Sequence, residues 1–261
     1  MSTATPVPET WNLKGEDARR VLRSCGRGKL IRDAFVRLRV ADGFSHARSL
    51  AYATSLVFVQ ATIALVGLAS ALGESQSGVI VRTLKAALPG PAGQLLTQAV
   101  TQAHRAGASH RWAGLTFGLV GTLVTGSTLL GQVERGLNRI YGVEQDRPTL
   151  QKYGRALLLT LTAGTFAIAA FAVLTFGQSI GNSIDNHTVD LVWNIARWPG
   201  AILLVTVATT VVYRHSPRRR QPSLSWLAFG AAVSTILWLV ATLALGVFFS
   251  LSKSFGETYG P

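Results

Sequence analysis

Five stretches of apolar residues dominate the pattern of hydrophobic and polar positions along the chain, and each is long enough to cross a lipid bilayer. A helix needs about 20 predominantly apolar residues to cross the hydrocarbon core. None of the five carries a Lys, Asp or Glu in its interior, and helices of soluble bundles seldom run so long without a polar face. The pattern therefore predicts an all-α, polytopic membrane helix bundle. The predicted spans are about 51–72, 112–132, 157–180, 191–213 and 226–251.

Polar segments flank and separate these spans. Within the external loop, Val79–Leu88 and Gln94–Ala103 show two shorter helical patterns, broken at "PGPAG". We expect them to cap the bundle at the outer interface. The predicted organisation is a basic N-terminal segment at 1–49, a transmembrane bundle at 50–251 that contains the external helical loop 74–111, and an external tail at 252–261.

Charge predicts the orientation of the bundle. The chain is 48% hydrophobic and only 14% charged, yet its formal net charge is +13. Alternate connections on one side of the predicted bundle hold ten, five and four Lys or Arg, which makes nineteen of the 25, and the other side holds six. Because cytoplasmic loops are enriched in Lys and Arg, the N-terminus is predicted to be cytoplasmic. The segment "HSPRRRQP", His215–Pro222, then becomes a cytoplasmic hinge between the fourth and fifth spans.

An amphipathic helix is predicted within the basic N-terminal segment. In "GKLIRDAFVRLRVADG" the apolar side chains fall on one helical face, and basic residues lie elsewhere around the helix. This arrangement suits a helix lying on an anionic inner leaflet, although an ordinary packed or solvated helix explains it about as well. The apolar face comprises Leu30, Ile31, Ala34, Phe35 and Leu38.

The segment "ERGLNRIYGVEQDRP", Glu134–Pro148 and here called the elbow, follows directly on the second span. A helix continuing through Glu134 and Asn138 to Tyr141 keeps one face against the bundle, and Gly142 is predicted to end it. Asp146 precedes Pro148, which helps to set the start of the next helix.

Two interpretations of the elbow are open. Arg135 and Arg139 form an i, i+4 basic pair suited to lipid phosphate, with Asn138 beside them as a further headgroup candidate. The alternative is an interfacial elbow with paired charges, which is favoured because juxtamembrane arginines are ordinary.

Polar groups inside the spans are the other candidate site, since they cost free energy unless they are paired or face water. Asp190, Asn194 and Arg197 share one face of the fourth span, and Pro199 is expected to kink that helix. Arg197 reaching the outer headgroups is the slightly favoured alternative. Gln60 in the first span is most simply an interhelical hydrogen-bond donor.

Small residues mark the second span as the central packing helix, because glycines let helices approach closely. The same small face is compatible with helices that slide in a transporter, but packing is the safer interpretation. The glycines are Gly114, Gly118, Gly121, Gly126 and Gly131.

Several sequence motifs, taken in the order in which they occur along the chain, resemble those of the YihY/BrkB family of bacterial inner-membrane proteins. "RGLNRIYGVEQDRP" in the elbow is similar to the "LNRIYGVE…RP" signature of that family. Further matches are "SLAYATS", "RWPG", "VVYRHSP" and "FFSLSKSFGETYGP", so that the similarity runs from about Leu30 to the end. The resemblance implies location in the bacterial cytoplasmic membrane.

The chain departs from the family pattern in two places. Members of the family resembled here have six helices, whereas five spans are predicted in this chain. The resemblance therefore implies that the chain is truncated or is a short variant that lacks the sixth span. Relatives also tend to have Phe-Pro in the first span, where "AYATSLVFVQAT" has Val59-Gln60. A straight helix with a polar amide is therefore expected there.

Members of this family have carried the name ribonuclease BN, but the residues argue against hydrolysis. Cleaving a phosphodiester normally requires clustered metal ligands or a positioned acid and base. The five histidines are scattered, and the only acidic cluster, in the elbow, is interleaved with arginines. One cysteine leaves no thiol cluster. We therefore expect a non-enzymatic protein with no metal and no cofactor.

The leading functional hypothesis is a permease-like or lipid-handling protein for an amphiphilic or anionic substrate. A non-catalytic scaffold is the alternative, and a ribonuclease is the least favoured. Membrane lipids are the expected partners, with a second copy of the chain or another membrane protein as a further expectation. No specific nucleic-acid partner is expected, because positive-inside topology explains the basic charge.

Overall fold

The structure, a computed structural model, describes residues 5–71, 78, 82, 98, 101–102, 108–181 and 187–251. Helices account for most of these residues, and no strand occurs among them, so the predicted all-α class is confirmed. The helices are α1 (Gly15–Cys25), α2 (Arg27–Val40), α3 (Gly43–Ala71), α4 (Ala108–Tyr141), α5 (Thr149–Gly181), α6 (His187–His215) and α7 (Leu224–Leu251).

Helices α3 to α7 are long and apolar enough to cross a membrane. They carry many large apolar side chains that the protein itself leaves exposed, such as Phe117, Ile168 and Leu243. So much exposed apolar surface is unfavourable in water and suits contact with lipid tails. The chain is therefore a polytopic membrane protein, as predicted.

The N-terminal segment contains two helices rather than one. The amphipathic helix predicted from the sequence is present as α2, and its apolar face remains uncovered, with Ile31 72% exposed. Helix α1 was not predicted. Its local signals are Asp17, whose carboxylate accepts a hydrogen bond from the backbone N–H of Lys14 at 2.9 Å, and Gly26, whose positive φ of 72° separates α1 from α2.

The described chain divides into two compact units. Unit 1 contains α1, α2, the elbow, the hinge and the adjoining parts of the long helices. Unit 2 contains the other parts of the long helices. The ranges are Met1–Phe58, Leu123–Ala167 and Leu204–Val233 for unit 1, and Val59–Thr122, Ile168–Leu203 and Ser234–Pro261 for unit 2.

Glycines of α4 permit close packing against helices in both units. In unit 2, a Cβ added at Gly118 would meet the backbone of Ala64 in α3. In unit 1, a Cβ at Gly126 would lie 2.7 Å from Cγ2 of Thr160 in α5. Helix α4 thus contacts α3 and α5 through its small residues, which confirms its prediction as a packing helix.

Part of the predicted organisation lies outside the described residues. Most of the external loop, including most of Val79–Leu88 and Gln94–Ala103, and the tail 252–261 belong to that part. The capping helices therefore stay a prediction.

Replacing Gly118 with Ala should destabilise the bundle, because the new methyl group meets the backbone of Ala64, which cannot move aside as a side chain can. We expect a cost of about 1–3 kcal/mol, measured as a lower Tm in detergent. Gly164→Ala in α5 makes the same chemical change where nothing lies within 4 Å and should leave Tm unchanged or raise it. Equal effects of the two substitutions would contradict close α3–α4 packing.

Candidate functional site

The elbow forms a sharp turn between α4 and α5. Helix α4 ends at Tyr141, and Gly142 adopts a positive φ of 69°. Its N–H donates to the carbonyl of Arg139 at 3.1 Å, and the N–H of Val143 donates to the carbonyl of Asn138 at 2.9 Å. The prediction that Gly142 ends the helix is confirmed. Pro148 directly precedes α5, as expected.

Asn138 joins three segments through its buried side chain, which is 1% exposed. Its Nδ2 donates to Oδ1 of Asp146 at 2.8 Å, and its Oδ1 accepts a hydrogen bond from the backbone N–H of Arg218 at 2.8 Å. Helix α4, the loop before α5 and the hinge are therefore connected by one amide. Because both ends of the amide are occupied, Asn138 holds the elbow together, and its candidacy as a headgroup ligand stays a prediction.

Asp146 is the acceptor at the centre of the elbow. Lys152, in the first turn of α5, donates from Nζ to Oδ2 at 3.0 Å, and Arg135 lies 3.7 Å from the same oxygen. Burial alone raises the pKa of Asp146. The hydrogen bonds from Asn138 and Lys152 and the charges of Lys152 and Arg135 outweigh that effect, so that the pKa is lowered from its ordinary value of 3.8.

Glu134 and Arg147 form a buried ion pair beside this centre. Oε1 of Glu134, a residue that is 2% exposed, lies 3.0 Å from Nη1 of Arg147. The contact is electrostatic rather than a hydrogen bond, because the N–H groups of Arg147 point to the carbonyls of Ser216 at 2.6 Å and Pro217 at 2.8 Å. The guanidinium therefore bridges the carboxylate of α4 and the backbone of the hinge.

The hinge docks onto the elbow from a distant part of the sequence. Nη1 of Arg218 donates to the backbone carbonyls of Asp146 at 2.8 Å and Gln145 at 3.3 Å. The sequence placed both segments on the same side of the membrane but did not predict that they touch. Ser216 and Pro217 are fully buried in this contact, and no hydropathy signal marks such residues in a polar connection.

An N-terminal strap, Thr5–Leu13, lies along the elbow and the hinge. The N–H of Val7 donates to the carbonyl of Tyr141 at 3.0 Å. Arg219 donates to the carbonyls of Val7 at 3.2 Å and Pro8 at 2.9 Å, and its guanidinium stacks 4.4 Å from the centre of the Tyr141 ring. The strap was not predicted, because nothing in its composition indicates ordered structure.

Two further contacts hold the far end of the strap. The N–H and the hydroxyl of Ser223 donate to the carbonyl of Leu13 at 3.2 and 2.9 Å, and the N–H of Arg220 donates to the carboxylate of Glu9 at 3.1 Å. The strap is therefore bound at both ends by backbone hydrogen bonds.

An open groove of about 660 Å³ runs along one face of α5 within unit 1. Its wall follows the helical spacing of Gln151, Arg155, Leu158 and Thr162, and residues at the end of α6 complete it. The first turns are polar or cationic and the following turns are mainly apolar. The lining residues are Arg147, Gln151, Gly154, Arg155, Leu158, Leu159, Thr162, Val211 and His215.

The two arginines that are candidates for binding lipid phosphate each lie near an acid. Arg135 lies against Asp146 and is 48% exposed, and Arg139 lies 3.5 Å from Asp42 and is 36% exposed. These contacts fit the interpretation of paired charges, and binding of lipid phosphate by the two arginines stays a prediction. Among the residues that line the groove, Arg155 is an arginine whose guanidinium makes no hydrogen bond to the described residues, and no sequence pattern singled it out.

The predicted polar groups of the first and fourth spans lie in unit 2. Arg197 is partly buried, and its Nε has no hydrogen-bond partner among the described residues. Asn194 shares its helix, the side chain of Asp190 lies outside the described part, and α6 continues through Pro199 to His215. In α3 the carboxamide of Gln60 faces Gly121 of α4, which is the interhelical position predicted for it.

The motifs of the elbow and the hinge fall within a known family. The family model described as Virulence factor BrkB matches residues 34–261. The chain belongs to this family. The resemblance inferred from the motifs is thereby confirmed, and both segments of the docked pair lie inside the matched range.

Two relatives show how far the likeness extends. A "Putative ribonuclease-like protein YfkH" of Bacillus subtilis is 24% identical over 235 residues, which cover 88% of this chain and 84% of the relative. A "UPF0761 membrane protein" of Chromobacterium violaceum is 25% identical over 143 residues, which cover 55% of this chain and 34% of the relative. No solved structure matches.

Truncating Asn138 should loosen the elbow. Asn138→Ala removes a buried amide and leaves the N–H of Arg218 and one oxygen of Asp146, both partly accessible to solvent, without that partner. We expect Tm in detergent to fall by about 5–10 °C. Asn12→Ala, the same change at an exposed residue of the strap, should have little effect. A Tm for Asn138→Ala that equals the wild-type Tm would show that the amide does not connect the segments.

Stability should also depend on the charge of Asp146. Because its pKa is lowered in the folded protein, its contribution is complete above the ordinary value of 3.8 and disappears as the pH falls through the folded pKa. The Tm difference between wild type and Asp146→Asn should therefore be large near neutral pH and shrink below about pH 4. Asp33→Asn in α2, an exposed acid, serves as the matched control. A difference that stays constant with pH would contradict the assignment.

Proposed function

We propose that this membrane protein binds an anionic amphiphile, such as a phospholipid, in the groove on α5 and handles it as a permease-like protein. The observation that supports the proposal is the order of the side chains along the groove. Cationic and polar groups come first, and apolar groups follow on the same helical face. That order complements a molecule with an anionic head and an apolar tail.

The dimensions of the groove fit this class of ligand. Gln151 and Thr162 are separated by three turns, which is about 16 Å along the helix axis. Arg155 is exposed, and no other described residue accepts a hydrogen bond from it. Arg147, by contrast, is committed to Glu134 and the hinge. We therefore infer that Arg155 receives the anionic head and that Leu158 lies against the tail.

The amphipathic helix α2 supports the same proposal. Its exposed apolar residues include Ile31, Phe35 and Val36, and basic residues accompany them. A helix of this kind lies at the boundary between headgroups and acyl chains. Together with the distribution of Lys and Arg, it favours an orientation in which unit 1 faces the cytoplasm.

The printed name of the Bacillus relative raises RNA hydrolysis as a second possibility, but the site supports it less well. A general base or a metal ligand needs a carboxylate that is free to act. In the elbow, Glu134 is paired with Arg147, and Asp146 accepts from Asn138 and Lys152. The described residues contain no group of three His, Cys, Asp or Glu placed to hold a metal ion.

Substituting Arg155 should weaken lipid binding. We expect Arg155→Gln to reduce binding of dioleoyl phosphatidylglycerol to the purified protein about tenfold, because a charge-assisted hydrogen bond to phosphate is lost. Native mass spectrometry measures the bound lipid, and phosphatidylcholine tests whether the net negative charge matters. Arg23→Gln in α1 removes the same charge at an exposed position away from the groove and should bind lipid normally.

Movement of lipid is tested separately in proteoliposomes. Transfer of fluorescent phosphatidylglycerol between leaflets, followed by dithionite quenching, should fall in Arg155→Gln while the amount of protein stays equal. Unchanged binding in Arg155→Gln would overturn the proposed site. If the wild type binds lipid normally but does not transfer it between leaflets, the protein is a lipid-binding scaffold and not a permease. RNA cleavage that persists through extensive purification would support the nuclease hypothesis.

A further inference from the structure

A second cavity lies where the strap meets the hinge. It measures about 420 Å³ and is lined by Trp11 of the strap, Arg214 and His215 at the end of α6, and Arg220 and Gln221 of the hinge. It is distinct from the groove on α5, and the two share His215 alone. Two of its five lining residues are arginines, so its chemistry favours an anion.

Gln221 provides the observation that points to a ligand. The residue is 9% exposed, and both the oxygen and the nitrogen of its carboxamide are buried without a hydrogen-bond partner among the described residues. Leaving such groups unpaired costs free energy comparable to the loss of a hydrogen bond for each. Gln221 also lines the cavity, so that an anion bound there, toward which the side chain turns, accepts a hydrogen bond from the unpaired nitrogen.

The two arginines leave N–H groups available to the same molecule. Arg214 donates from Nη1 to the carbonyl of Pro222 at 2.8 Å, and a guanidinium carries five donors. Arg220 uses its backbone N–H to bind Glu9, and no other described residue receives a hydrogen bond from its guanidinium. Planar guanidinium groups match the oxygens of a phosphate.

Trp11 closes the cavity from the strap side. It lies between Glu9 and Leu13, which accept hydrogen bonds from Arg220 and from Ser223, respectively. Its ring is largely exposed, so its position rests on those anchors. A ligand between Trp11 and the arginines contacts the strap and the hinge at once, and its binding therefore stabilises the docked strap.

We propose that Trp11, Arg214, His215, Arg220 and Gln221 form a binding site for a phosphate group, separate from the amphiphile groove. The phosphate belongs either to a soluble organic or inorganic phosphate or to the headgroup of a phospholipid. Arg214 and Arg220 bind its oxygens, and the nitrogen of Gln221 donates to it. The proposal does not depend on the groove or on lipid transfer.

The test uses the fluorescence of Trp11 in the full chain. The difference between the wild-type spectrum and that of Trp11→Phe isolates this tryptophan from the other five. Inorganic phosphate is titrated into detergent-solubilised protein at ionic strength held constant with chloride. In a second arm, the protein is placed in nanodiscs of phosphatidylglycerol or of phosphatidylcholine.

Saturable change of the Trp11 signal with phosphate, but not with chloride, is the expected result for a soluble source. A change only in phosphatidylglycerol nanodiscs assigns the site to a headgroup. In either arm, Arg220→Gln and Gln221→Leu should weaken binding about tenfold or more, and Arg23→Gln should not. Arg220 is exposed, so its variant remains informative even where Gln221→Leu fails to fold.

No change in either arm overturns the proposal, and so does equal weakening by Arg220→Gln and Arg23→Gln, which indicates general charge attraction. Arg155→Gln separates this site from the groove, because it should leave the Trp11 titration with inorganic phosphate unchanged. A failure of lipid transfer with a normal Trp11 titration then counts against the proposed function and not against the phosphate site.

Discussion

The buried amide of Asn138 is the constraint on which the rest of this side of the molecule depends. One side chain donates to Asp146 in the loop before α5 and accepts from the backbone of the hinge after α6. Buried polar groups are stabilising only when they are satisfied, and here each partner has a defined position. The amide therefore sets where α5 begins relative to the end of α6, and the groove lies between these two helices.

The charges around Asn138 follow from the same constraint. Glu134 is almost completely buried and requires a cation, which Arg147 provides while it also binds the hinge. Asp146 is partly buried and forms ion pairs with Lys152 and Arg135. Glu134, Asp146 and the three arginines of the elbow thus each lie against an opposite charge, and Arg147 also binds backbone carbonyls. The cations left over for a ligand, Arg155 and Arg220, lie at its edges.

Much of the fold could be predicted from the sequence, because lipid imposes a simple rule on helix length and composition. The five long apolar helices, the amphipathic α2, the role of Gly118 and the helix end at Gly142 all rest on local patterns. The docking of Arg147 on Ser216 and Pro217 could not be predicted in this way, since it joins residues about seventy positions apart through backbone carbonyls that any residue possesses.

The candidate site illustrates the same limit. Arg135 and Arg139 stood out because their spacing is regular, and the structure places an acid beside each. Arg155 and Gln221 carry no sequence signal of their own, and they matter because of what lies around them.

The most direct test of the account is a cryo-electron microscopy structure in phosphatidylglycerol nanodiscs. We predict phospholipid density with its phosphate at Arg155 and its acyl chain along Leu158, beside an intact contact between Asn138 and the hinge. Acyl chains in the groove with the phosphate far from Arg155, or a hinge detached from Asn138, would contradict it.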